Sequence, residues 1–272
     1  MTLQTLIAAV DAPCNLVSIM QVEEGAVVAN QYTTNEPLCR DSFNVTCINT
    51  RTRGVGINRN IALLHARDDI VLFADDDIKY HAGYSSLILR AFEEIPEADM
   101  IVFNLNYKNE SVENTRRQIS SIERVHVWNS LNYGAPRMAI KLDSQRKANI
   151  WFSTLFGGGT LYGAGEDCLF MLAALRRGLK VFTYPGVIGE TNLASSSWFE
   201  GYGEKFFFDK GALFQAAFGM LSFPMMLQFI VRHRETLVEC AAVNALEYMR
   251  CGSKAFKGGC TSFKEYKKTQ NL

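Results

Sequence analysis

The chain has 272 residues, of which 48% are hydrophobic and 21% charged, a composition that predicts a folded globular protein and excludes extended disorder. Lysine plus arginine and aspartate plus glutamate number 28 each. Because no overall positive charge results, we expect no nucleic-acid partner.

The first part of the chain alternates short apolar runs with helical patterns. Apolar residues recur at three- and four-residue spacing over 57–66 and 84–95, which predicts two helices. Continuous apolar runs are typical of strands covered on both faces of a parallel sheet. These predicted strands lie at residues 5–10, 26–31, 45–50, 70–74 and 99–104. Their order predicts an open α/β sheet that binds ligands at the carboxyl ends of its strands.

The middle of the chain, residues 104–147, is more polar, and we predict a loop and a small mixed sheet there. A glycine-rich loop follows, and then a helix that begins near Glu166 and stops at Gly178. The predicted strands of this part lie at residues 124–128, 137–142 and 180–184.

Beyond Lys210, the segment 212–231 is mostly apolar but contains glutamines, Gly219 and Pro224. Three interpretations stay open: helices that complete the core, helices that lie in a membrane interface, and a membrane span. The polar interruptions and the basic residues that follow favour the first two over the span.

Seven cysteines lie far apart without a C-x-x-C pair, and the start of the chain lacks a signal-peptide pattern. We therefore predict ordinary buried thiols in a reducing, cytoplasmic protein. The odd number of cysteines and the lack of metal-ligand spacing argue against a structural zinc site.

Three carboxylates end the apolar run at residues 70–74. In an extended chain Asp75 and Asp77 share one side, while Asp76 points away. Two carboxylates this close repel each other, so a cation is their natural partner. Oxygen ligands favour Mg²⁺ or Mn²⁺, which substrate phosphates would share. The alternative is an acidic turn that caps the next helix.

A second acidic pair, Glu166 and Asp167, follows the three glycines at 157–159. In the simpler interpretation, the two carboxylates complement the helix dipole in the first turn. In the functional interpretation, the glycines let the backbone approach a ligand closely, and a carboxylate beside it acts as a general base.

Together these motifs resemble a known family. The segments "RGVGINRNIAL", "DDIVLFADDD", "GGG" and "GEDCLFMLAALRRGLKVFTYP", in that order, are similar to the inverting GT-A glycosyltransferases of family 2. That group includes bacterial enzymes that build capsular and other surface polysaccharides. The resemblance covers roughly residues 3–215.

The resemblance implies a GT-A fold, a nucleotide-binding α/β/α sandwich with a mostly parallel central sheet and a C-terminal helical extension. We expect the GT-A domain over residues 1–210, with a nucleotide-sugar half over about 1–104 and an acceptor half over about 105–210. A helical extension and a basic tail would fill residues 211–272.

The implied reaction is metal-dependent transfer of a sugar from a nucleoside diphosphate donor, a UDP-sugar foremost, to a hydroxyl of a saccharide or lipid-linked saccharide. Asp167, with Glu166 beside it, would be the catalytic base. Asp77 would bind Mn²⁺ or Mg²⁺. Asp75 would contribute to the metal site and lie nearer the ribose and the donor sugar, with Asp76 as a neighbour.

Further roles follow from the same resemblance. Arg59 would pair with the diphosphate or with Asp75. Family members often close the second strand with an acidic residue that binds the nucleobase, whereas this chain has Asn30 there, and Asp11 is another candidate for that contact. Gly158, Gly159 and Trp198 are candidates for acceptor binding.

The histidine that many members supply to the metal is absent from residues 187–199. Glu190 or a nearby side chain would replace it. Alternatively, Lys205 or Lys210 would stabilise the leaving diphosphate.

Two other functions compete with this one: a catalytically degenerate binding or assembly subunit of the same fold, motivated by the missing histidine, and an aspartate-dependent phosphotransferase. For the transferase we expect a cytoplasmic location, with peripheral contact to the inner face of the cell membrane through 212–231.

Overall fold

The computed structural model describes residues 1–107, 118–191, 201–237 and 239–270. Two compact units divide the chain. The first comprises residues 1–152 and 170–196, and the second comprises residues 153–169 and 197–272. Trp198, a predicted acceptor contact, lies outside the described residues.

A mostly parallel sheet forms the centre of the first unit, in the order β3-β2-β1-β4-β7-β6-β8-β5. Strand pairs β1–β2, β1–β4, β2–β3 and β6–β8 are parallel, and the pairs that involve β5 or β7 are antiparallel. The strands are β1 (Leu3–Val10), β2 (Gly25–Gln31), β3 (Val45–Thr50), β4 (Ile70–Asp75), β5 (Ile78–Tyr80), β6 (Met100–Tyr107), β7 (Met138–Lys141) and β8 (Val181–Thr191).

Both faces of the sheet are covered, because neighbouring residues of one strand enter different apolar clusters. Leu3 and Ile7 of β1 pack in one cluster, whereas Leu6 packs in the other. All three are at most 2% exposed. This confirms the prediction of strands that are buried on both faces.

The sheet is curled near the ends of β4 and β5. Four strand spacings of about 4.8 Å would separate these strands by roughly 19 Å in a flat sheet. Only Asp76 and Asp77 connect them, however, and the chain from Asp75 to Ile78 spans at most about 11 Å. The β6–β8 pairing shifts register between Val102 and Leu105, which places irregular pairing within the bend.

The helices outside the C-terminal region follow the predicted pattern. Helices predicted over 57–66 and 84–95 are present, and the helix after the glycine loop begins at Glu166. The helices are α1 (Leu16–Ile19), α2 (Val55–His65), α3 (Tyr84–Glu94), α4 (Leu142–Ala148) and α5 (Glu166–Arg176).

Two predictions for the middle of the chain are wrong. The predicted strand 124–128 forms only a single bridge, between Arg124 and Phe182, and residues 127–132 make a 3-10 turn. The Asn129 side chain accepts a hydrogen bond from the His126 backbone at 2.8 Å, and such local bonds compete with strand pairing. The strand predicted over 137–142 does form, but as β7 it lies inside the main sheet between β4 and β6.

The described part of the second unit contains α6 (Glu204–Phe218), α7 (Ser222–Arg232), α8 (Ala242–Lys257) and α9 (Phe263–Gln270). Helices α6 and α8 pack closely through glycines: a Cβ on Gly211 would lie 1.9 Å from the Met249 carbonyl oxygen, and one on Gly252 would lie 1.8 Å from that of Phe208. Lys210, after which the sequence predicts the domain boundary, lies inside α6.

One cysteine pair differs from the prediction. Cys39 and Cys47 form a disulfide with Cα atoms 6.2 Å apart. A tight turn, in which Ser42 and Val45 exchange backbone hydrogen bonds, brings the two residues together. The expectation of thiols at all seven positions is therefore wrong for this pair, while the five other cysteines form no disulfide within the described part of the chain.

Candidate active site

The carboxyl end of β4 carries the first acidic motif. Asp75 is the last residue of the strand, and Asp76 and Asp77 form the turn that leads into β5. The prediction that Asp75 and Asp77 lie in one extended segment is therefore wrong, because the backbone turns immediately after Asp75. Asp77 is exposed and Asp76 is partly buried.

Arg59 of α2 pairs with Asp75. Its Nη2 donates to Asp75 Oδ1 at 2.6 Å, and the arginine side chain is 4% exposed while that of Asp75 is 38% exposed. The guanidinium also lies 5.4 Å from the centre of the Phe152 ring. The diphosphate and Asp75 were the two partners predicted for Arg59, and the structure shows the pair with Asp75. A buried cation thus fixes one carboxylate at the end of the strand.

Asp76 faces β1. Its Oδ2 accepts a hydrogen bond from the Val10 backbone N–H at 3.1 Å. Burial raises the pKa of Asp76 to about 6, although the bond from Val10 opposes the shift. The sequence assigned Asp76 to the donor as a neighbour of Asp75, and that assignment stays a prediction.

Asp11 lies where β1 ends, with a left-handed backbone at φ 49°. Its carboxylate accepts hydrogen bonds from the Thr33 hydroxyl at 2.6 Å and the Thr33 backbone N–H at 2.7 Å. These bonds lower the pKa of Asp11. Asp11 therefore joins the loops after β1 and β2 at the edge where ligands bind in such sheets.

Asn30 has an internal role in the structure. It is 1% exposed, its Oδ1 accepts from the Ala12 backbone N–H at 2.9 Å, and its Nδ2 donates to Asn49 Oδ1 at 2.8 Å. The amide thus holds the loop after β1 against β3. A nucleobase contact by Asn30 stays a prediction.

Sequence reasoning missed three polar residues that shape this edge: Thr33, Asn49 and Asn58. Asn58, one residue before Arg59, is 2% exposed and donates to the Ala9 carbonyl at 3.0 Å, which fixes α2 against β1. The "NRN" motif could have indicated this contact, because an asparagine that is buried on a helix needs a hydrogen-bond partner.

In the second unit, α5 begins with the other acidic pair. Glu166 is 8% exposed, and its Oε2 accepts from the Gly165 backbone at 3.2 Å. Asp167 is more exposed and accepts from the Cys168 backbone at 2.7 Å. Burial raises the pKa of the Cys168 thiol well above its usual value, with a further increase from Asp167 and an opposing effect of Lys210.

The glycine-rich loop is a tight turn. Gly157 and Gly159 have φ angles of 105° and 81°, which other residues rarely adopt. Gly157 donates to the Tyr162 carbonyl at 2.9 Å, and the Thr160 hydroxyl donates to the Gly157 carbonyl at 2.8 Å. Gly158 is buried in this turn, so its contact with an acceptor stays a prediction, as does that of Gly159.

A cavity of about 260 Å³ opens in the second unit at the start of α6. Lys205 Nζ pairs with Asp209 Oδ2 at 2.8 Å, and the same oxygen accepts from the Gly163 backbone at 2.9 Å. Lys210 Nζ lies 5.3 and 5.4 Å from the ring centres of Phe206 and Phe229. The lining residues are Gly163, Ala164, Gly201, Gly203, Glu204, Lys205, Phe206, Asp209, Lys210, Leu213 and Phe263.

The described residues contain no group of three His, Cys, Asp or Glu side chains that is gathered to hold an ion. Asp75 and Asp77 nevertheless supply the hard oxygen ligands that Mg²⁺ and Mn²⁺ prefer, and Mg²⁺ typically takes one or two carboxylates plus phosphates and water. Glu190 lies on β8 opposite Lys79, which is two residues after Asp77. The donor set therefore fits a divalent ion that is shared with a phosphorylated ligand.

These features define a protein of the mixed α/β type with a mostly parallel, curled sheet, a polar site at the carboxyl end of its strands and C-terminal helices. Residues 26–154 match the family described as Glycosyl transferase family 2. The matched part contains Arg59 and Asp75 of the site. No curated protein matches the chain in sequence.

Two solved structures share the fold of this chain. The 1–349 fragment of TarS from S. aureus, in complex with UDP-GlcNAc, superposes with a TM-score of 0.63 at 13% identity, over 95% of this chain and 92% of that one. The mannosyltransferase PcManGT from Pyrobaculum calidifontis, in complex with GDP-Man and Mn²⁺, gives a TM-score of 0.51 at 15% identity, over 99% and 79%. These similarities support the GT-A-like fold.

Proposed function

We propose that this protein is a glycosyltransferase, which moves a sugar from a nucleoside diphosphate donor to a hydroxyl acceptor with inversion at the anomeric carbon. A UDP-sugar is the first candidate donor, and a saccharide or lipid-linked saccharide is the acceptor. The observation that carries the proposal is the Arg59–Asp75 pair, with Asp77 beside it, at the strand end of a family 2 domain. The nucleotide-sugar complexes of TarS and PcManGT support the donor class.

On the donor side, Asp77 and Asp75 would hold Mn²⁺ or Mg²⁺. When bound, the ion neutralises charge on the departing diphosphate. Arg59 would keep the Asp75 carboxylate in place, since the guanidinium is buried and cannot move away without losing its partner. Asp11 contacts Thr33 at the edge where the nucleobase would bind, and Asp76 and Asn30 would support the same edge from within.

On the acceptor side, Asp167 would act as the base. It removes the hydroxyl proton while the oxygen attacks the anomeric carbon, and the bond from that carbon to the diphosphate breaks. Attack on the face opposite the leaving group inverts the configuration. Asp167 suits the role better than Glu166, because Glu166 is nearly buried and accepts a hydrogen bond from its own helix start.

Two completions of the donor site stay open. Glu190 would replace the missing histidine at the metal, or a lysine of α6 would neutralise the leaving diphosphate. Lys205 already pairs with Asp209, whereas the Lys210 Nζ lies beside two aromatic rings and its charge opposes the rise in the pKa of Cys168. Lys210 is therefore the better candidate of the two lysines.

The setting that we propose is bacterial surface polysaccharide synthesis on the cytoplasmic side, with peripheral membrane contact through 212–231. The Cys39–Cys47 bond bears on this location, because stable disulfides are rare in the cytosol. If mass spectrometry of protein from alkylated cells found this bond fully formed, the cytoplasmic location would be wrong.

Nucleoside diphosphate release tests the function. The full chain is incubated with Mn²⁺ and a panel of UDP-, GDP-, dTDP- and CDP-sugars, with and without EDTA. We expect metal-dependent release from one donor class, and a loss of about a hundredfold or more in Asp77→Asn and in Asp167→Asn. Asp143→Asn, which removes an exposed carboxylate paired with Lys147, is the matched control and should keep full activity.

The same assay separates the alternatives. Binding of a donor without release under any condition would support the degenerate binding subunit and contradict the transferase. For the lysine alternative, Lys210→Ala should lower turnover or donor affinity, and unchanged values in both Lys205→Ala and Lys210→Ala would exclude it.

A further inference from the structure

Helix α7 has an unusual surface for a soluble protein, since large apolar side chains occupy both its faces. Met226 is buried against Phe207, Phe214 and Met249, and this side holds the helix in the second unit. The opposite side is also apolar but exposed. Large apolar side chains that stay exposed on a helix mark a surface for lipid or for a protein partner.

The exposed side forms a continuous ridge, which we define as Met220, Leu221, Phe223, Leu227 and Val231. Their exposed fractions are 96%, 61%, 45%, 42% and 62%. Phe223, Leu227 and Val231 recur every four residues and so lie along one line of α7, and Met220 and Leu221 lie in the 3-10 turn directly before it. Val243, at the start of α8, adds a further apolar side chain that is 78% exposed. Single exposed apolar residues are common, but a contiguous set marks an interaction surface.

Basic residues border the ridge. Arg232, His233 and Arg234 follow it directly, and all three are exposed. The guanidinium of Arg250 lies 5.9 Å from the ring centre of Phe223. His233 pairs with Glu235, but Arg232 and Arg234 make no ion pair within the part of the chain that the structure describes. The border therefore carries positive charge that a negatively charged partner would neutralise.

The ridge is too short to cross a membrane. By length and composition alone, Glu204–Arg232 could cross a membrane as one helix. Of its most apolar 18-residue window, 22% is buried within the protein. The helix ends at Phe218, however, and Gly219–Leu221 forms a 3-10 turn in which Gly219 has a φ of 55°. Helix α6 packs on α8 through Gly211, so the exposed apolar helix is α7, and its 11 residues span about 16 Å.

We infer that the ridge and its arginines form a membrane-interface site for anionic phospholipid, with α7 lying in the plane of the headgroups. Apolar side chains on one face of a helix enter the boundary between headgroups and acyl chains, and neighbouring arginines bind lipid phosphates. This inference deepens the membrane contact proposed above: it selects α7 instead of the whole segment 212–231 and names the partner.

Vesicle sedimentation tests the inference with the full chain. One set of vesicles contains only phosphatidylcholine, and the other contains about one third phosphatidylglycerol. We expect the protein to sediment with the anionic vesicles, and the bound fraction to fall as salt rises from about 0.05 to 0.5 M, because salt screens the arginine contacts.

Two variants separate the apolar and basic parts of the surface. Phe223→Ser/Leu227→Ser/Val231→Ser should weaken binding to anionic vesicles at least about tenfold, since three exposed apolar side chains no longer enter the bilayer. Arg232→Gln/Arg234→Gln should abolish the preference for anionic over neutral vesicles. The control Phe43→Ser/Leu64→Ser removes side chains that are 92% and 65% exposed in the first unit and should bind like the unaltered chain.

The inference would be overturned if the unaltered chain sedimented with neither vesicle, or if the ridge variant bound as well as the control. It would also be wrong if size-exclusion chromatography showed that the ridge variant converts a dimer to a monomer without any vesicle binding, since the partner would then be a second copy of the chain. In lipid-free buffer, the ridge variant should hydrolyse the donor as fast as the unaltered chain does. A failure of the membrane inference can therefore be told apart from a failure of the proposed catalysis.

Discussion

Asp75 and Asp77 are chemically identical residues in different surroundings. Asp75 is the carboxylate partner of a buried arginine, whereas Asp77 is exposed in the turn after β4. Removing Asp75 takes a charge-assisted hydrogen bond away from a buried guanidinium, which costs more than removing an exposed charge.

We therefore predict that Asp75→Ala lowers the free energy of unfolding by about 1.5–3 kcal/mol, and that Asp77→Ala, at an exposed carboxylate, lowers it by less. Urea denaturation of the metal-free protein measures both. Equal destabilisation by the two substitutions would show that Arg59 does not depend on Asp75. Both variants should lose donor turnover if the proposed metal site is correct.

The Asp11–Thr33 contact makes a prediction about pH. The Thr33 hydroxyl is the main cause of the lowered pKa of Asp11, so Thr33→Ala should raise that pKa toward 3.8. Because the folded-state pKa lies below the unfolded value, the contribution of Asp11 is present above about pH 4 and is lost as pH falls through the folded-state pKa.

The destabilisation caused by Thr33→Ala should accordingly be larger at about pH 6 than at about pH 2. Carbon NMR titration of the Asp11 carboxyl gives the pKa directly. Thr46→Ala, which removes an exposed threonine on β3, is the control and should leave the Asp11 pKa unchanged. A pKa that does not move in Thr33→Ala would contradict the assignment.

At the scale of elements, the α6–α8 contact depends on two glycines. A methyl group on Gly252 would overlap the Phe208 carbonyl, so Gly252→Ala forces the helices apart. This overlap should outweigh the roughly 1 kcal/mol by which alanine favours a helix over glycine, for a net loss of at least about 1 kcal/mol. Thermal or urea unfolding measures it. Lys254→Ala, on the exposed side of α8, should be close to neutral, and a stabilised Gly252→Ala would show that the helices are not in close contact.

The Cys39–Cys47 bond closes a short loop before β3. Reduction should lower the free energy of unfolding by roughly 2–3 kcal/mol, because the unfolded chain regains the freedom of that loop. Urea unfolding with and without reductant measures the change, and Cys39→Ser should reproduce it. Cys14→Ser, at an exposed free cysteine, is the control. Thiol titration that finds seven reactive cysteines in the unfolded, non-reduced protein would show that the bond does not form.

For the whole molecule, a donor nucleotide should raise the melting temperature, since a ligand that binds only the folded state stabilises it. At a concentration of about 100 times the dissociation constant, the gain is about 2.7 kcal/mol. A thermal-shift panel of UDP, GDP, dTDP and CDP with Mn²⁺ should give one clear responder, whose effect EDTA and Asp77→Asn reduce. If no nucleotide shifts the transition, the proposed donor class is wrong.

The sequence predicted the main features of the first unit because they depend on local patterns. A continuous apolar run such as 70–74 predicts a strand that is covered on both faces. Gly178 ends its helix because glycine readily adopts the backbone conformation of a helix C-terminus. The acidic motifs were found in the same way, because charged residues directly after a buried strand or at a helix start are visible in one dimension. The prediction of a strand over 124–128 was wrong because the Asn129 side chain accepts a hydrogen bond from the His126 backbone. An apolar pattern does not reveal such a local bond.

By itself, the sequence determined most of the strands and helices of the first unit, the two acidic motifs and the resemblance to family 2 glycosyltransferases. Only the tertiary structure decided that Arg59 pairs with Asp75, that Asn30 faces inward, that Cys39 meets Cys47, and that α7 exposes an apolar ridge. The physical reason is that these features depend on contacts between residues that are distant in the chain. Local preference fixes what a segment is, whereas packing fixes which side chains meet and which face remains exposed.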